Sequence, residues 1–349
     1  MTPAASAGRK GRDAIPPGPD TILPGTDTIP PVPDTIPPVP DTGVGPVPVP
    51  GQPVELGEGL LRLTAPNPGL MTGPGTNSYV IGTSELAVID PGPDDEGHRA
   101  ALLAAIAARG TLRWILVTHT HRDHAPGAAA LAHATGAEVV GFGPADDFVP
   151  DLAVSGGWTL ELPGPSARSG SNDVITLEAV HTPGHASNHL CWLVQESRTL
   201  LTGDHVMHGS TVVINPPDGN LGAYLASLAL VRDRVPAVER FAPGHGRLMG
   251  DVTAVIDALI AHRLGRHARV ADALRSAGEG TVEDLLPGIY ADVSEAQRTP
   301  ARLSLWAHLR YLAGEGRAVA LEEPHASGGP DAHDGRDTIT TRWRWVTSG

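Results

Sequence analysis

The chain is organised around the stretch Thr118-His119-Thr120-His121-Arg122-Asp123-His124. Four of its side chains can bind a metal, and they lie within six positions of one another. The stretch follows an unbroken apolar run at residues 114–117, which is typical of a strand covered on both faces. A pattern of small residues typical of a helix begins near Pro126. We therefore expect a turn at the end of a strand to bring the four side chains together.

Three later stretches place a single metal-binding side chain after a strand-like apolar segment. They are Thr182-Pro183-Gly184-His185, Thr202-Gly203-Asp204 and Pro243-Gly244-His245-Gly246. Ligand sites of layered folds usually lie at strand ends. Scattered surface histidines are the simpler interpretation in a chain with 16 histidines, but they do not explain a dense cluster followed by three matching strand ends. We therefore predict one metal site built from all seven side chains.

The predicted site holds two divalent ions. One arrangement gives the first ion His119, His121 and His185, gives the second ion Asp123, His124 and His245, and places Asp204 between them. Imidazole and carboxylate ligands without thiolate favour Zn²⁺ and leave Mn²⁺ or Fe²⁺ open. Two ions about 3.5–4 Å apart generate a hydroxide nucleophile from water. We predict that Asp123 orients this hydroxide and carries a proton to the leaving group, and that Asp90 fixes a ligating imidazole.

Composition argues against several classes of function. A formal net charge of -14 over 349 residues argues against a general polyanion-binding protein, which needs an excess of Lys and Arg. A single cysteine, Cys191, leaves no internal disulfide and no thiolate metal cluster. No apolar run approaches the roughly 18 residues of a membrane span, and the N-terminus lacks the hydrophobic segment of a signal peptide. We expect a cytoplasmic protein without a membrane span, and the oligomeric state stays open.

The first 52 residues differ in composition from the rest of the chain. Aspartates recur every seven residues among prolines, at Asp13, Asp20, Asp27, Asp34 and Asp41. Proline removes backbone donors and fixes φ, so we predict a disordered, extended arm over residues 1–52 whose role the sequence does not give. Residues 53–261 alternate strand and helix patterns and are predicted to form one domain, with a sheet-on-sheet core and helices outside.

Residues 262–349 are predicted to form a second, smaller domain. A long helix or a pair of helices is expected over residues 252–277, and Thr281 with the acidic residues after it indicates the start of a short helix. Another helix pattern covers residues 296–314, and two strand patterns follow at residues 317–321 and 338–346. Helices followed by a hairpin suggest a winged helix.

The motif His-x-His-x-Asp-His at residues 119–124, with the later ligand stretches in the same order, resembles the metallo-β-lactamase superfamily. The resemblance implies an α/β fold, an αβ/βα four-layer sandwich over about residues 53–261 with the dinuclear site at one edge. Asp204 as a bridging ligand resembles the hydroxyacylglutathione-hydrolase and ribonuclease branches rather than true β-lactamases. His121 departs from the flavo-diiron proteins, which place Glu there, so an oxygen-reducing di-iron site is disfavoured.

The likeness is greatest to the β-lactamase-like protein 2 group, which cleaves single-stranded RNA and carries a C-terminal winged-helix-like domain. Besides the ligand motifs, it rests on Asn77-Ser78-Tyr79-Val80 and on the helices after residue 261. Two departures leave substrate choice open, since Thr120 replaces a bulky Trp and Ala125-Pro126 replaces the usual small-Gly pair.

The leading hypothesis is metal-dependent hydrolysis of single-stranded RNA. Arg298, Arg302 and Arg310 lie in or beside the last predicted helix and are candidate phosphate contacts, although a solvated face explains them equally well. The runner-up is thioester hydrolysis of the hydroxyacylglutathione or acyl-carrier type, since the same hydroxide attacks a carbonyl. A third hypothesis is a non-catalytic nucleic-acid or protein-binding module with a structural metal, which the complete ligand set disfavours. The expected partner is therefore a small-molecule ester or thioester, or single-stranded RNA.

Overall fold

Two stacked sheets form the centre of the computed structural model, which describes residues 39–57, 59–145, 147–165, 173–234, 237–291, 293–321 and 337–347. In chain order the strands are β1 Gly43–Val44, β2 Val54–Gly57, β3 Leu60–Thr64, β4 Asn77–Gly82, β5 Glu85–Ile89, β6 Thr111–Leu116, β7 Glu138–Gly141, β8 Leu152–Ala153, β9 Thr159–Pro163, β10 Val174–His181, β11 Leu190–Val194, β12 Thr199–Gly203, β13 Arg240–Pro243, β14 Leu248–Met249, β15 Glu279–Gly280, β16 Ala318–Leu321 and β17 Arg342–Trp345. The helices are α1 Glu96–Ala107, α2 Gly127–Thr135, α3 Leu221–Asp233, α4 Val252–Ala277, α5 Val282–Ile289 and α6 Arg298–Gly314.

The first sheet has the order β2-β3-β4-β5-β6-β7-β8, and its strands run parallel from β5 to β8. Such strands need both faces covered, and β5 and β6 supply apolar side chains to each face. On the outer face, Leu102 of α1 and Leu131 of α2 pack in one cluster with Val88 and Ile115 of the sheet, and all four are fully buried. Helix α1 therefore returns the chain across this face from β5 to β6, and α2 returns it from β6 to β7.

The second sheet has the order β1-β14-β13-β12-β11-β10-β9 and stacks on the first. Trp192 of β11 is fully buried in the cluster between the sheets, together with Ile89 and Leu116 of the first sheet. Helices α3 and α4 cover the outer face, where Leu228 and Ile256 pack in one buried cluster with strand residues. The layers are thus helix, sheet, sheet and helix, which confirms the predicted four-layer α/β sandwich.

A small module follows, built from α5, α6 and a three-stranded sheet of order β15-β17-β16. Its core contains Leu305, Leu309 and Trp343, which are at most 1% exposed. Helix α5 begins at the predicted Thr281, whose side chain accepts a hydrogen bond from the backbone of Asp284 in a capping box. The predicted winged-helix-like domain is confirmed. Its last strand is shorter than the predicted 338–346, because residues 338–341 form a turn.

Helix α4 connects the two parts of the chain. Its first half packs on the second sheet through Val255 and Ile256, and its second half packs in the core of the small module through Val270 and Leu274. It is one continuous helix of 26 residues, so the domain boundary predicted at residue 261 falls inside it. No helix in the described ranges is both long and apolar enough to cross a membrane.

The predicted arm at residues 1–52 needs a correction. Residues 1–38 lie outside the described part, but residues 39–52 lie against the second sheet and the edge of the first. Strand β1 pairs with β14, Gly51 donates to the Thr64 carbonyl at 2.9 Å, and Arg62 donates to the Pro46 carbonyl at 3.0 Å. The prediction of disorder was therefore wrong for residues 39–52. Gly43, Val44 and Gly51 keep the backbone N–H groups that the flanking prolines lack. Proline carbonyls also still accept hydrogen bonds.

We predict that α4 stabilises the small module through its buried leucine. Leu274 is fully buried, whereas Leu264 on the same helix is 37% exposed. Leu274→Ala should lower the free energy of unfolding by about 2–5 kcal/mol, because it removes buried methyl groups and leaves a cavity. The matched Leu264→Ala should change it by about 0.5 kcal/mol or less. Denaturant titration measures both, and equal losses for the two variants would contradict the packing described.

Candidate metal centre

The candidate ligands lie in loops at one shared edge of the two sheets. Four occupy the loop between β6 and α2, and the other three follow β10, β12 and β13. Backbone hydrogen bonds join the sheets at this edge: Leu190 donates to the Thr118 carbonyl at 2.7 Å, and Asn77 donates to the Gly244 carbonyl at 2.7 Å. The structure therefore brings all seven predicted ligands together, in two groups.

His119, His121 and His185 form the first group. The Nδ1 atom of His121 lies 3.0 Å from Nε2 of His119 and 2.9 Å from Nε2 of His185. Nitrogen ligands about 2.0–2.1 Å from one zinc ion in tetrahedral geometry are roughly 3.3 Å apart. The three ring nitrogens are thus slightly closer together than around a bound ion. His121 is exposed while the other two are buried, so solvent reaches the group from the His121 side.

Asp123, His124, Asp204 and His245 form the second group. The Nε2 atoms of His124 and His245 lie 3.3 Å apart. The Oδ2 atom of Asp123 lies 3.4 Å from Nε2 of His124 and 3.2 Å from Nε2 of His245. Asp204 Oδ1 lies 3.4 Å and 3.3 Å from the same two nitrogens. These spacings match the roughly 3.3 Å between ligands of one tetrahedral ion. The four side chains therefore fit a divalent cation.

Asp204 lies between the two groups. Its Oδ2 atom is 3.7 Å from His185 Nε2 of the first group, while Oδ1 faces the second group. Oδ1 is buried and has no hydrogen-bond partner among the described residues. Gly244 allows this approach, because a Cβ atom there would lie 2.7 Å from His124 Cε1 and 2.8 Å from Asp204 Oδ1. A carboxylate in this position can contact an ion in each group.

The electrostatics of the two groups favour bound cations. Burial by itself raises the pKa of the Asp204 carboxyl, but His245 and His124 beside it outweigh burial and hold that pKa well below its usual range. Burial lowers the pKa of His119 well below its usual value. One side of His121 faces solvent, but partial burial of its ring and the nearby His185 lower its pKa to about 4. Burial also lowers the pKa of His245, but Asp204 and Asp123 outweigh burial and raise the pKa of His245 to about 9. Divalent metals bind ionised carboxylates and neutral imidazoles, so a cation in the second group would displace the proton that Asp204 holds on His245.

Asp90 holds two of the candidate ligands. Its Oδ2 atom accepts hydrogen bonds from His124 Nδ1 at 2.8 Å and from the Thr118 hydroxyl at 2.7 Å, and Oδ1 accepts from the Thr118 backbone at 2.7 Å. The Thr118 oxygen in turn lies 3.0 Å from His119 Nδ1. Asp90 has a φ of 49°, a left-handed conformation that is uncommon outside glycine. Such strain is kept where the surrounding structure requires it.

Backbone carbonyls hold the rings of His185 and His245 from behind. His185 Nδ1 donates to the Val213 carbonyl at 2.7 Å, and His245 Nδ1 donates to the Gly75 carbonyl at 3.2 Å. A proton on Nδ1 leaves the Nε2 lone pair of a neutral ring for a metal. In both residues Nε2 is the nitrogen that faces its ligand group.

His189 has a position at the site that the sequence did not reveal. It is fully buried, its Nε2 accepts a hydrogen bond from the Asp204 backbone at 3.1 Å, and its Nδ1 lies 2.9 Å from the Thr182 hydroxyl. In the sequence it is only a histidine four residues after the predicted ligand His185, which does not give it a role at the site. The three-dimensional contact with Asp204 distinguishes it from His208, which pairs with Asp41 at the surface.

The three arginines predicted to contact phosphates are each paired with a carboxylate. Arg298 lies 3.1 Å from Glu295, Arg310 lies 3.3 Å from Asp337, and Arg302 lies 2.5 Å from Glu283. All three are on α6. Their charges are therefore neutralised locally.

Comparison with known protein families gives two matches. The family model described as Metallo-beta-lactamase superfamily matches residues 71–245, and the model described as Beta-lactamase associated winged helix domain matches residues 281–326. The first match contains all seven candidate ligands, and the second covers α5 and α6.

Similar proteins agree with these matches. The chain is 30% identical over 300 residues to an Atrochrysone carboxyl ACP thioesterase of Aspergillus chevalieri, covering 75% of this chain and 83% of that protein. It is 28% identical to a Beta-lactamase-like protein 2 homolog of Caenorhabditis elegans, covering 78% and 90%. The crystal structure of a metallo-beta-lactamase family protein from Thermus thermophilus has the same fold, with a TM-score of 0.63, 22% identity and coverage of 82% and 99%. The chain therefore belongs to the metallo-beta-lactamase superfamily, whose members are hydrolases.

Proposed function

We propose that the chain is a metal-dependent thioester hydrolase. The observation that carries this proposal is the second ligand group, in which Asp123, His124, Asp204 and His245 have the mutual spacing of ligands around one ion. The first group supplies a second ion site, with Asp204 between the two. Zinc is the first choice for both ions, and the nitrogen and oxygen ligands also accept Mn²⁺ or Fe²⁺. When bound, two such ions supply Lewis acidity and a nucleophile at neutral pH.

Asp123 has the position of a catalytic residue in this reaction. Its side chain is 27% exposed, whereas that of Asp204 is 10% exposed, so Asp123 meets both the ligand group and incoming solvent. We assign to it the orientation of the attacking water and the transfer of a proton to the leaving thiolate. Water then adds to the carbonyl carbon, the C–S bond breaks, and the products are a carboxylic acid and a thiol.

Three groups behind the ligands act as positioning residues in this proposal. Asp90 holds His124 directly and His119 through Thr118. His189 holds the backbone of Asp204. Partners of this kind set ring orientation and ligand basicity, and their loss usually weakens metal binding by about 10–100-fold.

Two observations favour a thioester over RNA as the substrate. The arginines of α6 are paired with carboxylates, and the chain has a formal net charge of -14, so a phosphate backbone meets little free positive charge there. The relative from Aspergillus chevalieri is named a thioesterase. A non-catalytic module with a structural metal is disfavoured because all seven ligands are present.

Cleavage of single-stranded RNA is the second candidate function. The chain is similar over 78% of its length to a Beta-lactamase-like protein 2 homolog, and the resemblance to that group implies a ribonuclease. The winged-helix module is present in this chain as well. The same nucleophile attacks phosphorus or carbonyl carbon, so substrate assays must decide between the two.

We predict that Asp123→Ala abolishes hydrolysis of an acyl N-acetylcysteamine thioester. The rate should fall by at least about 100-fold, because the water loses its orienting base, while the circular dichroism spectrum stays unchanged. Asp94→Ala is the matched control, since that side chain is 61% exposed at the surface. A full rate in Asp123→Ala would contradict the mechanism. RNA cleavage that Asp123→Ala removes, with no thioester turnover in the unaltered protein, would replace the first function by the second.

We predict that Asp90→Asn weakens metal binding without removing a ligand. The substitution keeps the shape of the side chain but removes the charge that polarises His124 and fixes Thr118. Zinc affinity, measured by competition with a chromophoric chelator, should fall by about 10–100-fold. Asp95→Asn, which changes only the hydrogen bond at the start of α1, serves as a control. Equal affinities for the two variants would show that Asp90 does not act on the ligands.

We predict that Gly244→Ala lowers the metal content. The new methyl group would press on His124 and Asp204 at distances below 3 Å. Elemental analysis of the purified protein should show fewer than two zinc ions per chain. At Gly250 a Cβ atom would be 3.6 Å from its nearest neighbour, so Gly250→Ala should keep the full content. Two ions in Gly244→Ala would mean that the second group adapts more freely than its packing indicates.

A further inference from the structure

A cavity of about 200 Å³ lies between the sandwich and the small module. Its walls come from the loop at residues 207–213, from α4, and from residues 290–304 of the small module. The cavity shares one wall with the metal centre: Val213 lines it, and the carbonyl of Val213 accepts the hydrogen bond from His185 Nδ1 at 2.7 Å. Val213 is therefore the residue that separates a group bound in the cavity from the candidate ligand His185.

Arg263 of α4 lines this cavity and is only 4% exposed. Its Nη2 donates to the Val212 carbonyl, and its guanidinium carbon lies 5.3 Å from the centre of the Tyr224 ring. Within the described ranges its Nε has no hydrogen-bond partner, and no carboxylate there forms an ion pair with it. Burying a cation is costly unless an anion accompanies it. Among the described residues, Arg263 is thus a buried cation without a carboxylate partner at the cavity wall.

Arg266, one turn along α4, also lines the cavity and is 7% exposed. Its Nη1 donates to the Ile289 carbonyl at 2.6 Å, and its guanidinium lies 4.2 Å from the Tyr290 ring centre. Its guanidinium lies on the same wall of the cavity as that of Arg263. Planar guanidinium groups bind carboxylate and phosphate oxygens in pairs, which makes arginine the residue suited to such anions.

Apart from the two arginines, the cavity wall is partly apolar and partly polar. Met207, Val212, Val293 and Ala301 contribute apolar surface, whereas Ser210, Thr211, Gln297 and Ser304 contribute hydroxyl and amide groups. Since one water occupies roughly 30 Å³ in the liquid, the space accepts a short organic chain but not a run of nucleotides. A ligand with a short, partly apolar stem and one negatively charged end matches this wall.

We propose that this cavity binds an oxyanion on an apolar stem of the substrate, with Arg263 as the residue that recognises it. The proposal rests on the proposed thioester hydrolysis and names its substrate class. The thioester carbonyl lies at the metal centre, the stem passes Val213, and the oxyanion meets Arg263. The oxyanion is either a carboxylate on the acyl chain or a phosphate on the pantetheine arm, and both have the same chemistry at a guanidinium.

The first test compares thioesters that differ only in the negative charge. Adipoyl and hexanoyl N-acetylcysteamine differ at the end of the acyl chain, and hexanoyl phosphopantetheine adds a phosphate on the thiol side. The zinc-loaded protein should have kcat/KM about tenfold higher or more for one of the two charged substrates than for hexanoyl N-acetylcysteamine, mainly through KM. A preference for adipoyl places the oxyanion on the acyl chain, and a preference for phosphopantetheine places it on the thiol. Equal values for all three substrates would overturn the proposal.

Variants of Arg263 test the residue itself. Arg263→Gln should bring the ratio of kcat/KM between charged and neutral substrates close to one, and Arg263→Lys should restore part of it. Arg275→Gln, an exposed arginine of the same helix, should keep the ratio of the unaltered protein. If Arg263→Gln does not fold, Val293→Phe, which narrows the cavity from the small module, should lower kcat/KM for the charged substrate. An unchanged ratio in a folded Arg263→Gln would overturn the proposal.

Binding to the metal-free protein separates this proposal from the proposed function. Calorimetry with the chelator-treated protein should detect binding of adipate and no binding of hexanol, and Arg263→Gln should lose the adipate signal. Arg263-dependent adipate binding without any thioester turnover would disprove the proposed function and keep the cavity assignment. Thioester turnover without a preference for charge, and without adipate binding, would disprove the cavity assignment alone. Cleavage of a short RNA that depends on Arg263, without thioester turnover, would overturn both.

Discussion

The buried carboxylate of Asp204 is the constraint on which the metal centre depends. The Asp204 side chain is 10% exposed and anionic, and its Oδ1 atom has no hydrogen-bond partner among the described residues. A buried carboxylate is costly without positive charge beside it. His124 and His245 supply part of that charge, and divalent cations held by the two ligand groups would supply the rest. Two glycines leave room for the loops around Asp204 to pack against Thr118 and His124. A Cβ at Gly203, which has a φ of 47°, would lie 2.7 Å from the Thr118 hydroxyl, and one at Gly244 would press on Asp204 itself.

The two sheets must stack correctly for this carboxylate to meet its partners. Asp204 and His245 follow strands of the second sheet, whereas Asp123 and His124 follow a strand of the first. Asn77 of the first sheet holds the loop of the second, since its side chain donates to the carbonyls of Pro243 and Gly246 at 3.0 Å and 2.8 Å. The buried cluster between the sheets and the hydrogen bonds of Asn77 therefore set the distances between the candidate ligands of the two sheets.

Sequence patterns predicted the seven ligands and the four layers, because each ligand follows an apolar run that only a buried strand explains. They did not distinguish His189 from other histidines, because its contact with Asp204 joins residues that are fifteen positions apart and depends on the fold. The pairing of β1 with β14 was missed for a similar reason, since Gly43 and Met249 meet across most of the chain. The charged cavity at Arg263 exists only because α4 continues into the small module.

The location of the bound ions tests the dinuclear centre most directly. Anomalous X-ray scattering from crystals of the zinc-loaded protein, recorded on both sides of the zinc absorption edge, locates each ion without assumptions about its ligands. We expect two peaks about 3.5–4 Å apart. One should lie among His119, His121 and His185, the other among Asp123, His124 and His245, and Asp204 should contact both. A single peak, or two peaks without Asp204 between them, would contradict a dinuclear centre.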